Sequence, residues 1–324
     1  MTTDVQEYLG QRRILLDKAF RETLSGLLQG VPLRDTAFLF DALAGGKKLR
    51  GCLACLICEA LGGPLEAVIP RAVAVELIQA ATLIHDDFVD QDRIRRNRPA
   101  VWTLAGARRA VLLGDVIFAS AIKMMSELGR NDGLIVSRTI AEVSQGALHE
   151  PLDPAELAQA IISGRINGNL YETIIYLKTA VLFGTACRLG AMAAEADASL
   201  AETAYRYGLS LGEAYQIADD LQEVKGYLAS RSVPPDRLAV LGPAFLRFVG
   251  APGPFILATL QGECPDWDEA ASQCFRAAAE HMEEEITRRL RSAQAEMEEN
   301  FPANRYSQLI DQTPGEIIRM FNQS

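Results

Sequence analysis

The stretch that decides the fold is AVAVELIQAATLIHDDFVDQDRIRRNR, residues 72–98. Its first part is almost uncharged, and apolar residues recur there at helical spacing, which predicts a buried or half-buried helix. The helix ends in three acids, Asp86, Asp87 and Asp90, of which the first and last share a helix face. Because these anions repel each other and the C-terminal end of a helix disfavours negative charge, the pattern requires cations beside them.

Two kinds of cation can neutralise this acidic cluster. Mg²⁺ prefers oxygen ligands, binds one or two carboxylates and takes its other ligands from water and phosphate. Four arginines follow within six residues, at Arg93, Arg95, Arg96 and Arg98, and guanidinium groups match phosphate oxygens in bidentate pairs. The stretch therefore indicates either a magnesium-dependent diphosphate site or an exposed helix end whose acids and arginines pair with each other.

The same acidic spacing returns in residues 215–226, YQIADDLQEVKG. Asp219, Asp220 and Glu223 again occupy positions i, i+1 and i+4 at the end of a partly apolar run. Two such triads on separate helices can face each other across a cavity, with a metal cluster holding a diphosphate and apolar space behind it holding a tail. The second copy favours the diphosphate site over a chance arrangement of charges.

The composition favours helices and argues against several classes of protein. The chain has 324 residues, of which 49% are hydrophobic and only 7% aromatic, and its net charge of −10 argues against nucleic-acid binding. No apolar run approaches the length of a membrane span and the N-terminus lacks a signal-peptide core, so we expect a cytoplasmic protein without a transmembrane segment. We predict one domain over residues 1–324, with residues 226–265 irregular because glycine and proline punctuate them.

Three cysteines have a spacing that resembles a cluster-binding motif. Cys52, Cys55 and Cys58 nevertheless lie in an apolar helical stretch without a glycine- or proline-rich loop. Buried cysteine behaves as a small hydrophobe. We therefore interpret these thiols as part of the core.

Positive charge is concentrated at two further places. In GGKKLRG, residues 45–51, cations follow two glycines at the mouth of a predicted helix, which is typical of an anion site but also of an ordinary turn. Lys178 lies inside the long apolar run of residues 169–194. It needs an anion or a carbonyl partner, because burying an unpaired ammonium is costly, unless its side chain reaches the surface.

Together these motifs resemble the trans-isoprenyl (polyprenyl) diphosphate synthase family, over residues 39–226. The resemblance rests on five motifs in the family's order, namely GGKKLR, HDDFVD, the arginine pair Arg95 and Arg96, the pair Lys178 and Thr179, and YQIADDLQE. Five motifs with suitable separations are highly specific. The resemblance implies an all-α, single-domain helical bundle of the isoprenoid-synthase type around a deep central cavity, usually assembled as a homodimer.

The resemblance also implies an activity, the head-to-tail condensation of an allylic diphosphate with isopentenyl diphosphate, with three Mg²⁺ ions in each active site. The implied metal ligands are Asp86, Asp87, Asp90, Asp219, Asp220 and Glu223, and the implied catalytic residues are the five aspartates and Lys178. The implied contacts to the allylic diphosphate are Arg95, Lys178, Thr179 and Gln216. The implied contacts to isopentenyl diphosphate are Lys47, Arg50, Gln79 and Arg96.

The first acidic helix also allows a prediction of product length. The tail is expected to run back along this helix, where each turn of about 5.4 Å is close to one isoprene unit. Ala81 and Thr82 lie one turn before the aspartates and Ile78 lies a turn deeper. Because neither near position is aromatic, we predict a geranylgeranyl or longer polyprenyl product, that is C20 or longer.

Two departures from the family pattern leave alternatives open. Glu223 replaces the usual aspartate, and the family's lysine-containing loop after Gly226 has no clean match, although Lys225, Arg231 or Arg237 could substitute. A class I terpene cyclase would need the acidic motifs but not the residues assigned to isopentenyl diphosphate. A non-catalytic subunit of a heteromeric prenyl synthase would be expected to lose both acidic motifs, and this chain retains them.

Overall fold

The chain is almost entirely helical in the computed structural model, which describes residues 4–29, 43, 45–151 and 153–319. Within that part of the chain, strands occur only as a short antiparallel hairpin of β1 (Ile94–Arg95) and β2 (Arg98–Pro99). The predicted all-α class is therefore confirmed. The start of the family resemblance, residues 39–42, lies outside the described residues.

The helices fall into an N-terminal and a C-terminal set. The first set is α1 (Val5–Leu27), α2 (Leu49–Ala60), α3 (Leu65–Val89), α4 (Val101–Ala105), α5 (Ala107–Leu128) and α6 (Arg130–His149). The second set is α7 (Pro154–Ile162), α8 (Asn169–Ile175), α9 (Val181–Ala193), α10 (Ala198–Ser230), α11 (Pro235–Phe248), α12 (Pro254–Leu260), α13 (Glu269–Asn300) and α14 (Arg305–Arg319). A π-helical turn, Tyr176–Ala180, connects α8 to α9.

Two compact units alternate along the sequence. Unit 1 comprises Met1–Ala141, Leu182–Gly208 and Ala295–Thr313. Unit 2 comprises Glu142–Val181, Leu209–Gln294 and Pro314–Ser324. The single domain over residues 1–324 stays a prediction.

The core of unit 1 is built around α3, which packs against α1, α2 and α5. Because α3 is apolar on nearly all sides, it is buried on nearly all sides, and side chains such as Val75, Leu77 and Ile78 have no exposed surface. Burial of each such side chain stabilises the fold by about 1.5–3 kcal/mol. The sequence that ends in the first acidic triad is therefore the central helix of its unit.

The three clustered cysteines lie in this core, as predicted. Cys52, Cys55 and Cys58 of α2 are fully buried and none is in a disulfide. Burial raises the pKa of the Cys55 thiol to about 12 and that of Cys58 to about 11. These thiols therefore stay protonated and contribute packing.

The core of unit 2 corrects the prediction that residues 226–265 are irregular. α10 continues through Gly226 to Ser230, and α11 and α12 then supply buried apolar residues to the core, including Phe245 in contact with Phe275 of α13. Proline stands in the first turn of both α11 and α12. Its fixed φ and missing N–H suit that position, so Pro235 and Pro254 mark helix starts, whereas Pro243 lies inside α11.

Two stretches are long and apolar enough to cross a membrane by length and composition alone, Leu65–Val89 and Asn169–Ala193. In their most apolar windows 61% and 78% of the residues, respectively, are buried inside the structure. Buried core helices give the same signal. The absence of a transmembrane segment stays a prediction.

An ion cluster centred on Arg289 of α13 connects helices of unit 2. The Arg289 side chain is only 8% exposed, and it donates to Glu172 of α8 at 2.6 Å, to Glu285 one turn earlier at 2.8 Å, and to Glu213 of α10. Glu285 also accepts two hydrogen bonds from its neighbour Arg288. One buried guanidinium thus joins three helices through carboxylates.

Glu285 is expected to stabilise the protein in a pH-dependent way. Hydrogen bonds from Arg288 and the charge of Arg289 lower the pKa of Glu285 to about 2. A carboxyl whose pKa is lowered by folding stabilises the protein above its unfolded pKa, and this contribution is lost as the pH falls from about 4.5 towards 2. We expect Glu285→Gln to lower the free energy of unfolding at neutral pH. The difference in this free energy between the variant and the wild-type protein should shrink as the pH falls through that window. Urea denaturation across the window measures this; a constant difference would contradict it.

Candidate active site

The first acidic triad occupies the last turn of α3, and its three members lie in different environments. Asp86 is half-buried, Asp90 is exposed, and Asp87 is only 3% exposed. The Asp87 carboxylate accepts from the Arg95 guanidinium, with Oδ1 2.6 Å from Nε. Burial raises the pKa of Asp87, and the Arg95 contact opposes that rise. The pairing of acid with arginine that the sequence left open thus exists for the middle aspartate.

The arginine-rich hairpin places its loop against the basic turn. Arg96 and Asn97 form the two-residue loop, and both have positive φ, at 51° and 60°, as type I′ hairpin turns require. Arg96 Nη1 donates to the carbonyl oxygen of Gly45 at 2.5 Å. The strained loop therefore brings together two cationic motifs that lie about fifty residues apart in the sequence.

Glycine is required where Arg96 meets the turn. Gly46 has a φ of +113°, and a Cβ there would lie 2.5 Å from Arg96 Nη1, so a larger residue would be both strained and obstructed. Partial desolvation and the nearby Arg96 charge lower the pKa of Lys47. Arg50 follows in the first turn of α2, with its guanidinium 4.3 Å from the Phe183 ring centroid. Cationic side chains at a helix N-terminus can bind an anion.

The two lysines of the turn have different roles, which the sequence did not distinguish. Lys48 precedes α2 in a left-handed conformation, with φ of 50°, and is only 5% exposed. Its ammonium lies 3.8 Å from the Phe20 ring centroid and donates to the Leu43 carbonyl. Burial lowers the pKa of Lys48. Lys48 therefore anchors the turn, and Lys47 is exposed.

A small cleft in unit 1 combines apolar and charged walls. Its lining residues are Leu43, Ala80, Leu83, Ile84, Asp87, Arg95, Arg96, Arg98, Pro99, Ala100 and Val101. The predicted chain-length residues Ile78, Ala81 and Thr82 are not among them; the first two are fully buried, and Thr82 Oγ1 donates to the Gln79 carbonyl. The cleft thus follows a neighbouring face of α3. Gln79 is half-buried.

The acidic end of α3 is held against α5 by His85. The His85 Nε2 atom lies 3.1 Å from the Val111 carbonyl oxygen, and the ring packs edge-on against Phe118. A Cβ on Gly114 would lie 2.2 Å from the same nitrogen. His85 is thus a packing residue beside the triad.

The second acidic triad lies on α10, and its middle aspartate, like that of the first, is held by a donor from another element. Asp219 and Glu223 are exposed, whereas the middle residue, Asp220, is held by hydrogen bonds to both of its oxygens. Tyr171 donates to Oδ2 at 2.6 Å and Gln216 donates to Oδ1 at 2.9 Å. Burial raises the pKa of Asp220 to about 7; the two hydrogen bonds oppose that rise, and its acidic neighbours add to it.

Four of the predicted residues are brought together in unit 2, where the π-helical turn carries Lys178 and Thr179. Thr179 Oγ1 donates to Gln216 Oε1 at 2.7 Å, and Gln216 connects it to Asp220. Lys178 is paired with Glu150 of unit 2, which confirms that this lysine has an anionic partner. π-Helical turns occur frequently at functional sites.

Two residues of this cluster were missed by the sequence analysis. The buried position of Lys178 required an anion, but nothing in the local pattern selected Glu150, which lies 28 residues earlier. Tyr171 gave a weak signal, because a tyrosine in a buried apolar run needs a partner for its hydroxyl.

Gly146→Ala is expected to disturb this cluster. A Cβ at Gly146 would lie 2.5 Å from the backbone nitrogen of Lys178 and 2.8 Å from the carbonyl carbon of Leu177. Because backbone cannot move aside as a side chain can, we expect a loss of about 1–3 kcal/mol in the free energy of unfolding. Gly226→Ala is the control, since a Cβ there meets nothing within 4 Å; it should stabilise by about 0.5–1 kcal/mol. Equal effects in urea denaturation would contradict the prediction.

The two acidic triads supply the type of oxygen ligand that a divalent metal prefers. Within the described ranges, no three acidic, histidine or cysteine side chains are grouped closely enough to form a complete metal site. The chemistry of the donors still fits Mg²⁺, because all six are carboxylates and Asp90, Asp219 and Glu223 are exposed to the water that Mg²⁺ retains as ligands. The metal-binding role of the two triads, and their action on one diphosphate, stay predictions.

Comparison with known proteins identifies the family. A model of the polyprenyl synthetase family matches residues 36–230. A geranylgeranyl diphosphate synthase from Methanosarcina mazei is 34% identical over 58% of this chain and 57% of its own length. A short chain isoprenyl diphosphate synthase from Methanothermobacter thermautotrophicus is 33% identical over 68% of this chain and 67% of its own length. The chain belongs to the polyprenyl synthetase family, and the alignment with the first relative spans little more than half of that protein.

Solved structures show the same fold over nearly the whole chain. A polyprenyl synthetase from Streptomyces coelicolor has a TM-score of 0.75 at 24% identity, covering 97% of this chain and 99% of that one. A polyprenyl synthase from Caulobacter crescentus, complexed with calcium and isoprenyl diphosphate, has a TM-score of 0.70 at 25% identity, covering 98% of both chains. The predicted all-α isoprenoid-synthase fold is thereby confirmed.

Proposed function

We propose that this protein is a trans-prenyltransferase that condenses an allylic diphosphate with isopentenyl diphosphate head to tail. The observation that carries the proposal is the contact between Arg96 and the basic turn, which concentrates Lys47, Arg50 and Arg96 at the start of α2. The proposed role of this group, together with Gln79, is to bind isopentenyl diphosphate. Family membership and the name of the geranylgeranyl diphosphate synthase relative support a C20 or longer product.

The basic turn also supports elongation over cyclisation. A terpene cyclase ionises one diphosphate and has no second diphosphate to bind. A chain-elongating enzyme needs a second cationic site, and we assign that role to this turn.

In the proposed reaction some side chains bind the diphosphate and others exclude water. Ionising an allylic C–O bond creates a carbocation and a diphosphate anion, and bound Mg²⁺ would supply stabilisation of the negative charge. Arg95 and Lys178, each oriented by a carboxylate, would contact the same diphosphate, as would Thr179 and Gln216. Apolar walls such as Leu83 and Ile84 would keep water away from the carbocation. The alkene of isopentenyl diphosphate then attacks, and the released diphosphate is the proposed base.

The proposal extends to assembly and location. We expect a homodimer in the cytoplasm, with no nucleic-acid partner. Exposed apolar residues on α5, such as Leu112 and Val116 one turn apart, offer a surface for a second copy. Light scattering would measure the mass in solution. A monomer would instead favour a heteromeric assembly; a relative 34% identical is named heptaprenyl diphosphate synthase component 2.

The decisive assay uses purified protein, Mg²⁺, isopentenyl diphosphate and, in turn, dimethylallyl, geranyl, farnesyl and geranylgeranyl diphosphate. We expect elongated diphosphates, and no product when the metal is chelated. A cyclic hydrocarbon would favour the cyclase, and no reaction with any starter would favour the non-catalytic subunit. Product analysis by mass spectrometry separates these outcomes.

Ala81→Phe is expected to shorten the product. The side chain would fill the path one turn before the aspartates, at a stability cost of about 1–3 kcal/mol, because Ala81 is fully buried. Ala80→Phe is the comparison, since Ala80 lines the cleft on the neighbouring face of α3. Shortening by Ala81→Phe alone would support the predicted path. Shortening by Ala80→Phe alone would place the tail in the cleft.

A further inference from the structure

Tyr171 is a firmly held hydrogen-bond donor to the second acidic motif. It is only 3% exposed, and its hydroxyl donates to Asp220 Oδ2 at 2.6 Å. Its ring packs edge-on against Phe248, with centroids 5.5 Å apart at 71°. A buried phenol whose ring is fixed in this way can present its hydroxyl in only one direction.

The partner face on α10 is equally well defined. Glu213, Gln216 and Asp220 are three and then four residues apart, so they share one face of the helix. Each makes a polar contact from this face, with Arg289, with Thr179 and with Tyr171, respectively. The Asp220 carboxylate therefore lies on a polar face of α10 whose members are held by other elements.

The ion cluster fixes the register between the two helices. Arg289 joins Glu172, the neighbour of Tyr171 on α8, to Glu213, two turns before Asp220 on α10. Glu172 also accepts from Arg247 of α11. Because a buried guanidinium requires its carboxylate partners, sliding or rotating α8 relative to α10 would break these pairs. The distance from the Tyr171 hydroxyl to Asp220 is thus determined by contacts outside the triad.

From this geometry we propose that Tyr171 is a positioning residue for the second acidic motif. Its hydroxyl holds one oxygen of Asp220, Gln216 holds the other, and together they set the plane in which the carboxylate meets a divalent cation. Residues that orient ligating groups are commonly worth about 10–100-fold in metal affinity. The inference rests on the proposed function, in which Asp220 is a metal ligand.

Tyr171→Phe tests this role, because it deletes the hydroxyl and keeps the ring. Binding of Mg²⁺ in the presence of inorganic diphosphate would be measured by isothermal titration calorimetry, and steady-state kinetics would be measured beside it. We expect the metal dissociation constant to rise about 10–100-fold and kcat to fall, with KM for isopentenyl diphosphate unchanged. Tyr207→Phe is the matched control: Tyr207 is fully buried, and its hydroxyl donates to the Ile310 carbonyl within unit 1.

Each outcome decides a separate point. Weaker metal binding in Tyr171→Phe but not in Tyr207→Phe supports the positioning role. Unchanged or tighter binding, with only the melting temperature lowered, would mean that the hydroxyl is structural and would overturn the inference alone. Failure of the unchanged protein to bind Mg²⁺ with diphosphate, or to elongate any starter, would overturn the proposed function and this inference with it.

Discussion

Asp219→Asn is expected to lower kcat about 10²–10³-fold, the range found when a group that stabilises transition-state charge is removed. In the proposed reaction this carboxylate helps to hold the metal that stabilises the departing diphosphate. Asp219 is the better choice for the test because it is exposed, whereas Asp220 accepts hydrogen bonds from Tyr171 and Gln216. Its substitution should therefore change stability by less than about 0.5 kcal/mol.

The control for this prediction is Asp236→Asn. Asp236 is also an exposed aspartate of unit 2, in the first turn of α11, and no role in the reaction is assigned to it. Initial rates with isopentenyl diphosphate and the best allylic starter, together with melting temperatures, would be compared for both variants. If Asp219→Asn kept the rate of the unchanged protein, the second acidic motif would have no part in the chemistry.

Arg289→Ala should cost about 3–5 kcal/mol of folding free energy, as expected when one partner of a buried ion pair is removed. Its side chain is 8% exposed and contacts Glu172, Glu213 and Glu285. Without Arg289, Glu213 would lose a contact that opposes the burial-driven rise in its pKa. Urea denaturation followed by circular dichroism would measure the loss.

The adjacent residue provides the comparison for that substitution. Arg288 also pairs with Glu285, but its side chain is 65% exposed, so Arg288→Ala should cost at most about 1 kcal/mol. Equal losses for the two arginines would show that burial does not determine the strength of this cluster.

The helical class and both acidic motifs could be predicted because periodicity and spacing are local properties of the chain. The environment of each acid was not predictable in the same way. Asp87 and Asp220 occupy the same middle position in their triads, and both are held by donors from other elements, Arg95 and Tyr171. Those contacts depend on tertiary packing, which a single sequence does not reveal.

The basic turn and the proline-rich segment show two further limits. Lys47 and Lys48 are adjacent residues of the same type. The left-handed backbone at Lys48 nevertheless turns its ammonium inward against the Phe20 ring. In residues 226–265 the prolines predict irregular structure, although Pro235 and Pro254 stand in the first turns of helices. In each case the position of the residue within its element, and not its type, determined the structure.

The alternation of the two units has a practical consequence for building hybrid enzymes. The chain passes from one unit to the other at five places, after Ala141, Val181, Gly208, Gln294 and Thr313. A single crossover with a homologue anywhere between residues 142 and 313 would therefore mix segments of different origin in both cores, and no single cut separates one complete unit from the other. To exchange one unit intact, all three of its sequence segments must be replaced together.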